Sequence, residues 1–390
     1  MCKKINLLIP GDFPPIISGI STYFYEIWKL LPSDKRIIIA PRFGSYRKID
    51  RKFPHRVFRV KVPINNKTFE KIKKGLIYLF YTFILHLKHR IKIIHCGQVL
   101  SSGFVGWFMN KLFKIPYVIY IYGSETYRFG RLKLFTSIMK IFLESSSKII
   151  ANSNFTKNEY IEFGINPEKI EVITPGVDIG RFYPQKKDEH LLEKFNLRDK
   201  KILLTVGRLD ERKGHDKVIE ALSKLKSKYP DLTYLIVGSG REEKRLQNIV
   251  KNYALEDYVV FVGYVPDEEL PRYYNLCDIF ILLNRQTEAN KLLKGDYEGF
   301  GIVFIEASAC GKPIIAGNFG GVYDAVENGK TGLVIDPVNI EEIIKSIEYF
   351  LSNPENSFKF GNRGLNRVRQ SFTWDKKARE IITIENEILN

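Results

Sequence analysis

Cysteine is scarce in this chain of 390 residues: Cys2, Cys96, Cys277 and Cys310 lie far apart and form no CxxC pair. A zinc ribbon, a thioredoxin-like redox motif and a dense disulfide scaffold are thereby excluded, and a reducing cytosol is the expected compartment. Long hydrophobic runs are missing too. The longest, residues 75–87 (GLIYLFYTFILHL), is bounded by Lys71, Lys73 and Lys74 on one side and by Lys88, His89 and Arg90 on the other. As a helix it would rise about 20 Å, short of the ~30 Å hydrocarbon core of a bilayer. It reads as a buried helix, or else as one lying at a membrane surface, rather than a span. The apolar stretch before residue 11 is too short for the core of a signal peptide. No Ser/His/Asp arrangement and no metal cluster stands out.

Acidic residues are the most informative shortage. Residues 1–150 carry 27 Lys+Arg against 7 Asp+Glu, a net +20, whereas residues 151–390 carry 34 against 37. The whole basic excess of +17 therefore belongs to the first part of the chain. From Lys35 to Lys92 there are 17 basic residues and two acids, Asp50 and Glu70. A field so one-sided attracts an anionic partner: membrane lipid, nucleic acid or a phosphorylated substrate.

What is present is ordinary for a folded chain. A hydrophobic fraction of 44% and a charged fraction of 27% exclude wholesale disorder and a polytopic membrane protein. At about 150 residues per domain, the length predicts two or three domains. Short apolar strands are expected over 5–9, 37–40, 57–60, 93–95, 117–122 and 148–151, with helical stretches between most of them, the first at 20–31. The alternation then restarts with strands over 201–206, 233–237, 259–261, 278–283 and 313–316. Helices fall at 215–229, 241–253, 270–275 and 301–309, and a last one follows residues 373–375. Continuous apolar strands separated by helices predict parallel sheets covered on both faces, here two Rossmann-like α/β domains. The boundary falls between residues 175 and 200, giving domains over 1–180 and 181–370 and a terminal helix over 371–390 packing back toward the first.

Ligands in such sheets bind beyond the carboxyl ends of strands. After the first strand comes GDFPPIISGISTYFYEI, in which Gly19 precedes a helix capped by Ser21 or Thr22. GRLDERKG, residues 207–214, places Arg208 and Lys213 beside a helix start, a pattern suited to pyrophosphate or to a solvated loop. In DYEGFGIVFIEASACGKP, Glu298 sits in a loop and Gly299, Phe300 and Gly301 open a helix with their N–H groups available to an anion. Glu306 lies about a turn and a half inside that helix. Flanked by Ile305 and Ala307, it needs a partner, either a cis-diol such as a ribose or a salt bridge. Gly320 and Gly321 open a further helix in GNFGGVYDAV.

These segments resemble the retaining GT-B glycosyltransferases of family 4, over nearly the whole chain. Residues 298–316 resemble the family's E-x7-E segment, with Glu298 and Glu306 as its acids, and 207–214 its G-R-x4-K-G loop. Residues 14–23 (PPIISGISTY) resemble its N-terminal glycine loop, with Ser18 in place of the first glycine and Gly19 keeping the second. Residues 171–184 resemble its entry to the second domain. Residues 261–270 (FVGYVPDEEL), which include Val265, resemble the loop that lies against the donor base. The resemblance implies a GT-B fold whose two domains face a central cleft. It implies that Arg208 and Lys213 bind the donor diphosphate, and that Glu306 binds the ribose hydroxyls. Glu298 with the N–H groups of residues 299–301 would hold the transferred sugar. Gly19 would meet phosphate from the first domain, and Gly238 and Gly240 would lie near the nucleoside. It implies retention of anomeric configuration without an essential metal. One position departs: where the family commonly has His-Gly near the reacting sugar, this chain has Tyr122–Gly123 followed by Ser124–Glu125, and tyrosine does not titrate near neutrality. Tyr122 and Glu125 are the expected acceptor-side residues.

The expected reaction is transfer of a hexose from a nucleotide diphosphate sugar to a lipid or lipid-linked glycan. GDP-mannose is favoured as donor, because residues 285–307 look like the mannosyltransferases that modify phosphatidylinositol; a UDP-sugar is the alternative. A basic first domain suits an enzyme peripheral on the inner face of the membrane, with no nucleic-acid partner. Competing readings are a nucleotide-sugar epimerase or phosphorylase on the same fold, a homologue that binds donor without catalysis, and a basic nucleic-acid-binding protein.

Overall fold

Strands buried at every position dictate the architecture. Arg36–Pro41, Tyr117–Ile121 and Leu232–Val237 carry no exposed residue, the pattern of parallel strands with a layer on each face. The computed structural model describes residues 4–63, 68–123, 133–287 and 297–390. The chain divides into two units, Met1–Pro175 together with Trp374–Asn390, and Gly176–Thr373.

The first unit holds β1 (Ile5–Ile9), β2 (Arg36–Pro41), β3 (Arg56–Val60), β4 (Ile91–Cys96), β5 (Tyr117–Ile121), β6 (Lys148–Ala151) and β7 (Ile170–Val172). They form one sheet in the order β3-β2-β1-β4-β5-β6-β7, every pairing parallel. The second unit holds β8 (Lys201–Val206), β9 (Leu232–Val237), β10 (Val259–Gly263), β11 (Ile279–Leu282), β12 (Ile314–Gly317) and β13 (Gly332–Ile335), ordered β10-β9-β8-β11-β12-β13 and again parallel. These are two Rossmann-like sheets. In each, the strand order reverses once. β1 continues to β2 on one side while β4 continues to β5 on the other; β8 and β11 part in the same way. Loops diverging at such a switch point leave a crevice at the carboxyl edge.

Several local expectations are corrected. β7 and β13 were not foreseen: each is an edge strand of three or four residues, too short to stand out as an apolar run. The second unit begins at Gly176, inside the expected boundary of residues 175–200 though five residues before 181: Val177 N–H donates to Phe372 O at 2.7 Å, and Val177 and Phe182 enter its core. The apolar stretch 75–87 lies in the helix Thr68–Lys88, which buries Tyr78, Thr82 and Leu85 but exposes Leu76 by 54%, Phe80 by 62% and Leu87 by 69%. It is neither buried throughout nor a span, and no helix among the described residues is long and apolar enough to cross a membrane.

The last helix, Trp374–Leu389, belongs to the first unit. Glu385 on it accepts both guanidinium nitrogens of Arg36 at 2.6 Å and lies 2.9 Å from His95 Nε2. Arg36 in turn stacks 5.3 Å from the Trp28 ring, and His95 Nδ1 is 3.0 Å from the Tyr120 hydroxyl. These side chains are all buried; burial raises the Glu385 carboxyl, but Arg36 and His95 together pull it down to about 2.

Candidate functional site

The loops that diverge after β8 and β11 carry the strongest candidates. Residues 207–214 leave β8 and end in Gly214, whose φ of +70° is left-handed; a Cβ there would stand 2.3 Å from Leu283 O just beyond β11. Only glycine lets the two loops approach this closely. Arg285 N–H donates to Arg212 O at 2.9 Å and ties them together again.

Across that contact lies Glu298. Its Oε2 accepts from Lys213 Nζ and from Arg212 Nη1, the latter at 3.2 Å, and its Oε1 accepts no hydrogen bond among the described residues. Burial alone would raise the carboxyl, but the charges of Lys213 and then Arg212 pull it down to about 2. Lys213 is itself lowered by burial, an effect opposed by Glu298. Arg208 behaves differently: its side chain is 71% exposed, and Asp210 lies 3.5 Å from it.

Glu306 takes the opposite environment. It sits in the helix Ile302–Ala309, where Tyr274 donates to its Oε2 at 2.6 Å. No ion pair to Glu306 is present among the described residues, and burial pushes its carboxyl up to about 7 despite the Tyr274 hydrogen bond. The salt bridge offered as an alternative for Glu306 is thus found on Glu298 instead. Both acids lie on the carboxyl edge of one sheet.

Other expected residues find structural places. Gly301 adopts φ of +88° and caps the helix without a side chain, while the N–H groups of residues 299–301 donate no hydrogen bond among the described residues. Phe300 and Val265 turn their side chains into the core, so only their backbones are available to a ligand. Gly238 and Gly240 make room for the backbone of Gly207 and Leu209. Gly320 and Gly321 open the short helix Val322–Ala325, and Gly321 N–H donates to Glu298 O at 2.8 Å, bracing the Glu298 loop. In the first unit, Gly19 begins the helix Gly19–Leu30, and its cap is Ser18 rather than Ser21 or Thr22; Ser18 Oγ accepts from Ser21 N–H at 3.1 Å. Tyr122 follows β5, half-buried against the core of that unit. Glu125 lies outside the described residues, as do Cys2 and most of the segment before Glu298.

Two family models match consecutive parts of the chain: "Glycosyltransferase Family 4" over residues 17–181 and "Glycosyl transferases group 1" over residues 179–367. This chain is a GT-B glycosyltransferase of family 4. The glycosyltransferase is 26% identical over 370 residues, 94% of each chain, to the GDP-mannose-dependent alpha-(1-6)-phosphatidylinositol monomannoside mannosyltransferase of Mycolicibacterium smegmatis. HepE of Anabaena, solved with UDP, superposes with a TM-score of 0.81 at 19% identity, over 99% of this chain and all of that one. Sucrose-phosphate synthase of Thermosynechococcus elongatus gives 0.79 at 23%, over 99% of each. Sequence reasoning missed three residues of the enzyme's candidate site: Arg212, Tyr274 and Arg285. Arg212 occupies an unspecified position of the loop pattern, and Tyr274 lies 32 residues before the acid it touches.

Proposed function

We propose that the enzyme transfers a hexose, mannose favoured, from a nucleotide diphosphate sugar to a lipid or lipid-linked glycan, with retention of configuration. The observation that carries this reading is the pairing of two acids held in opposite states on one sheet edge, beside an exposed arginine. Arg208, with Lys213 beneath it, neutralises the departing diphosphate. Glu306 accepts the ribose hydroxyls. Glu298, already ionised and with Oε1 open, accepts hydroxyls of the transferred sugar, while the N–H groups of residues 299–301 donate to its oxygens. Two cations on one oxygen make Glu298 a weak base, which favours positioning over nucleophilic attack. Gly238, Gly240 and the backbone at Val265 line the nucleoside, and Gly19, Tyr122 and Glu125 serve the first domain's side of the reaction. The printed name of the Mycolicibacterium relative favours GDP-mannose, and HepE's UDP keeps a UDP-sugar as the alternative. A net +20 over residues 1–150, together with exposed Leu76, Phe80 and Leu87, supports docking on the anionic inner face of the membrane.

The test is thermal unfolding with UDP, GDP, ADP and their sugars, for wild type and for Glu306→Ala and Arg208→Ala. A ligand at about 100 times its dissociation constant adds close to 3 kcal/mol of stability. One nucleotide is expected to raise the melting temperature in wild type and in neither variant. An equal shift in the variants would remove these residues from the donor site.

A further inference from the structure

A second cationic feature lies apart from the donor loops. Arg42, Tyr46, Arg47, Lys48 and Lys61 line a concavity of about 760 Å³ in the first unit. It opens directly beyond the carboxyl ends of β2 and β3, where Arg42 N–H donates to Val60 O at 2.7 Å. That is the edge on which such sheets bind ligands.

Its charge is unusual. Four cations line it, no carboxylate does, and none of the four makes an ion pair among the described residues. The only acid of residues 35–69 is Asp50, and it is already engaged. Arg59 holds both its oxygens, with Nη2–Oδ1 at 2.7 Å and Nε–Oδ2 at 3.0 Å. Arg59 is buried and also donates to Pro41 O at 2.9 Å and Pro14 O at 2.6 Å, fixing the loops after β1 and β2 to each other. The Arg59–Asp50 pair is therefore locally neutral, while the four cations lining the concavity have no carboxylate among its lining residues. Tyr46 stands between the two, its ring 5.3 Å from the Arg59 guanidinium and 6.0 Å from that of Arg42. Its phenol is drawn below the usual range, chiefly by Arg47 and also by Arg42. Like charges gathered without a counter-ion repel one another.

We propose that this concavity binds a phosphate ester group of the acceptor. Arg42 and Arg47 present planar forks that match phosphate oxygens, Lys48 and Lys61 add point charge, and the Tyr46 hydroxyl donates. The proposal rests on the reading that the first unit carries the acceptor. Two sources share this chemistry, a phospholipid headgroup and a water-soluble phosphorylated sugar.

The test measures binding without turnover, on the full chain carrying Arg208→Ala so that the donor loop contributes little. One arm titrates glycerol 3-phosphate by calorimetry. The other measures co-sedimentation with vesicles of phosphatidylglycerol and phosphatidylcholine against phosphatidylcholine alone. Each compares Arg42→Gln/Arg47→Gln with Lys244→Gln/Lys251→Gln, which removes equal charge from exposed positions of the second unit. All four positions are exposed, so melting temperatures should match. Saturable binding of the soluble ester, weakened about tenfold by the first pair and not by the second, supports the proposal with a soluble source. Binding to anionic vesicles alone, with the same selectivity, supports it with a headgroup source. Equal loss in both pairs, or loss in neither, overturns it. Nucleotide binding enters neither arm, so failure here is distinct from failure of the donor site.

Discussion

Glu298 and Glu306 are eight positions apart and have the same chemistry, yet their surroundings separate them, to about 2 and to about 7. Opposed environments for like groups are a way to give one site two tasks. Glu306 yields a pH prediction. A diol is bound by the ionised carboxylate, so nucleotide binding lowers the pKa of Glu306 below its free value of about 7. Donor affinity is then full above that value and falls as pH drops through it, approaching tenfold per unit. Calorimetric titration of the cognate nucleotide between pH 5 and 8 checks this. The same shift has a stability consequence of opposite sense to that of a paired acid. A carboxyl raised from 4.5 to about 7 destabilises the fold progressively as pH rises through that window, by about 3 kcal/mol in all. Glu306→Gln should therefore gain stability relative to wild type between pH 4.5 and 7, while losing the nucleotide response.

At the scale of elements, the terminal helix is held by a buried charge network. Removing one member of such a pair leaves the other unsatisfied, at a cost of about 3 kcal/mol or more, whereas replacing both with apolar residues is close to neutral. Arg36→Met is expected to lower the denaturant midpoint strongly, and Arg36→Met/Glu385→Leu to recover most of the loss. Because Glu385 is depressed to about 2, its contribution is present above pH 4.5 and is lost as pH falls toward that value. None of this was legible in the sequence. Arg36 reads as one more member of a basic run and Glu385 as a solvated helix face, and a separation of 349 positions hides the pairing. The strands were legible where apolar runs were long, as in β8 and β9, and lost where they shrank to Ile170–Val172. Site positions could be read because the donor loops sit directly after strands. Their partners could not: Tyr274 and Arg285 meet the site only through tertiary contact, and the Ser18 cap was misassigned because Ser21 and Thr22 are equally good capping residues.

For the whole molecule, the nesting of one unit inside the other bears on how the chain acquires its structure. The second unit is one uninterrupted segment, Gly176–Thr373, whereas the first is completed by Trp374–Asn390. Until those last residues join, Arg36 and His95 lack their carboxylate, and Trp374, Ala378, Ile381 and Ile384 leave the hydrophobic cluster around Trp28 and Tyr120 open. In refolding from denaturant, pulse-labelled hydrogen exchange should protect the amides of β8, β9 and β11 before those of β1 and β4; simultaneous protection would show that the first sheet forms without its final helix. A ribosome delivers the chain in the reverse of that order. The stretch before Gly176 must wait for residues 374–390, made only after the whole second unit, with its basic surface already in solution and its core unsealed, so the unit richest in positive charge is also the one whose completion waits on synthesis of the other.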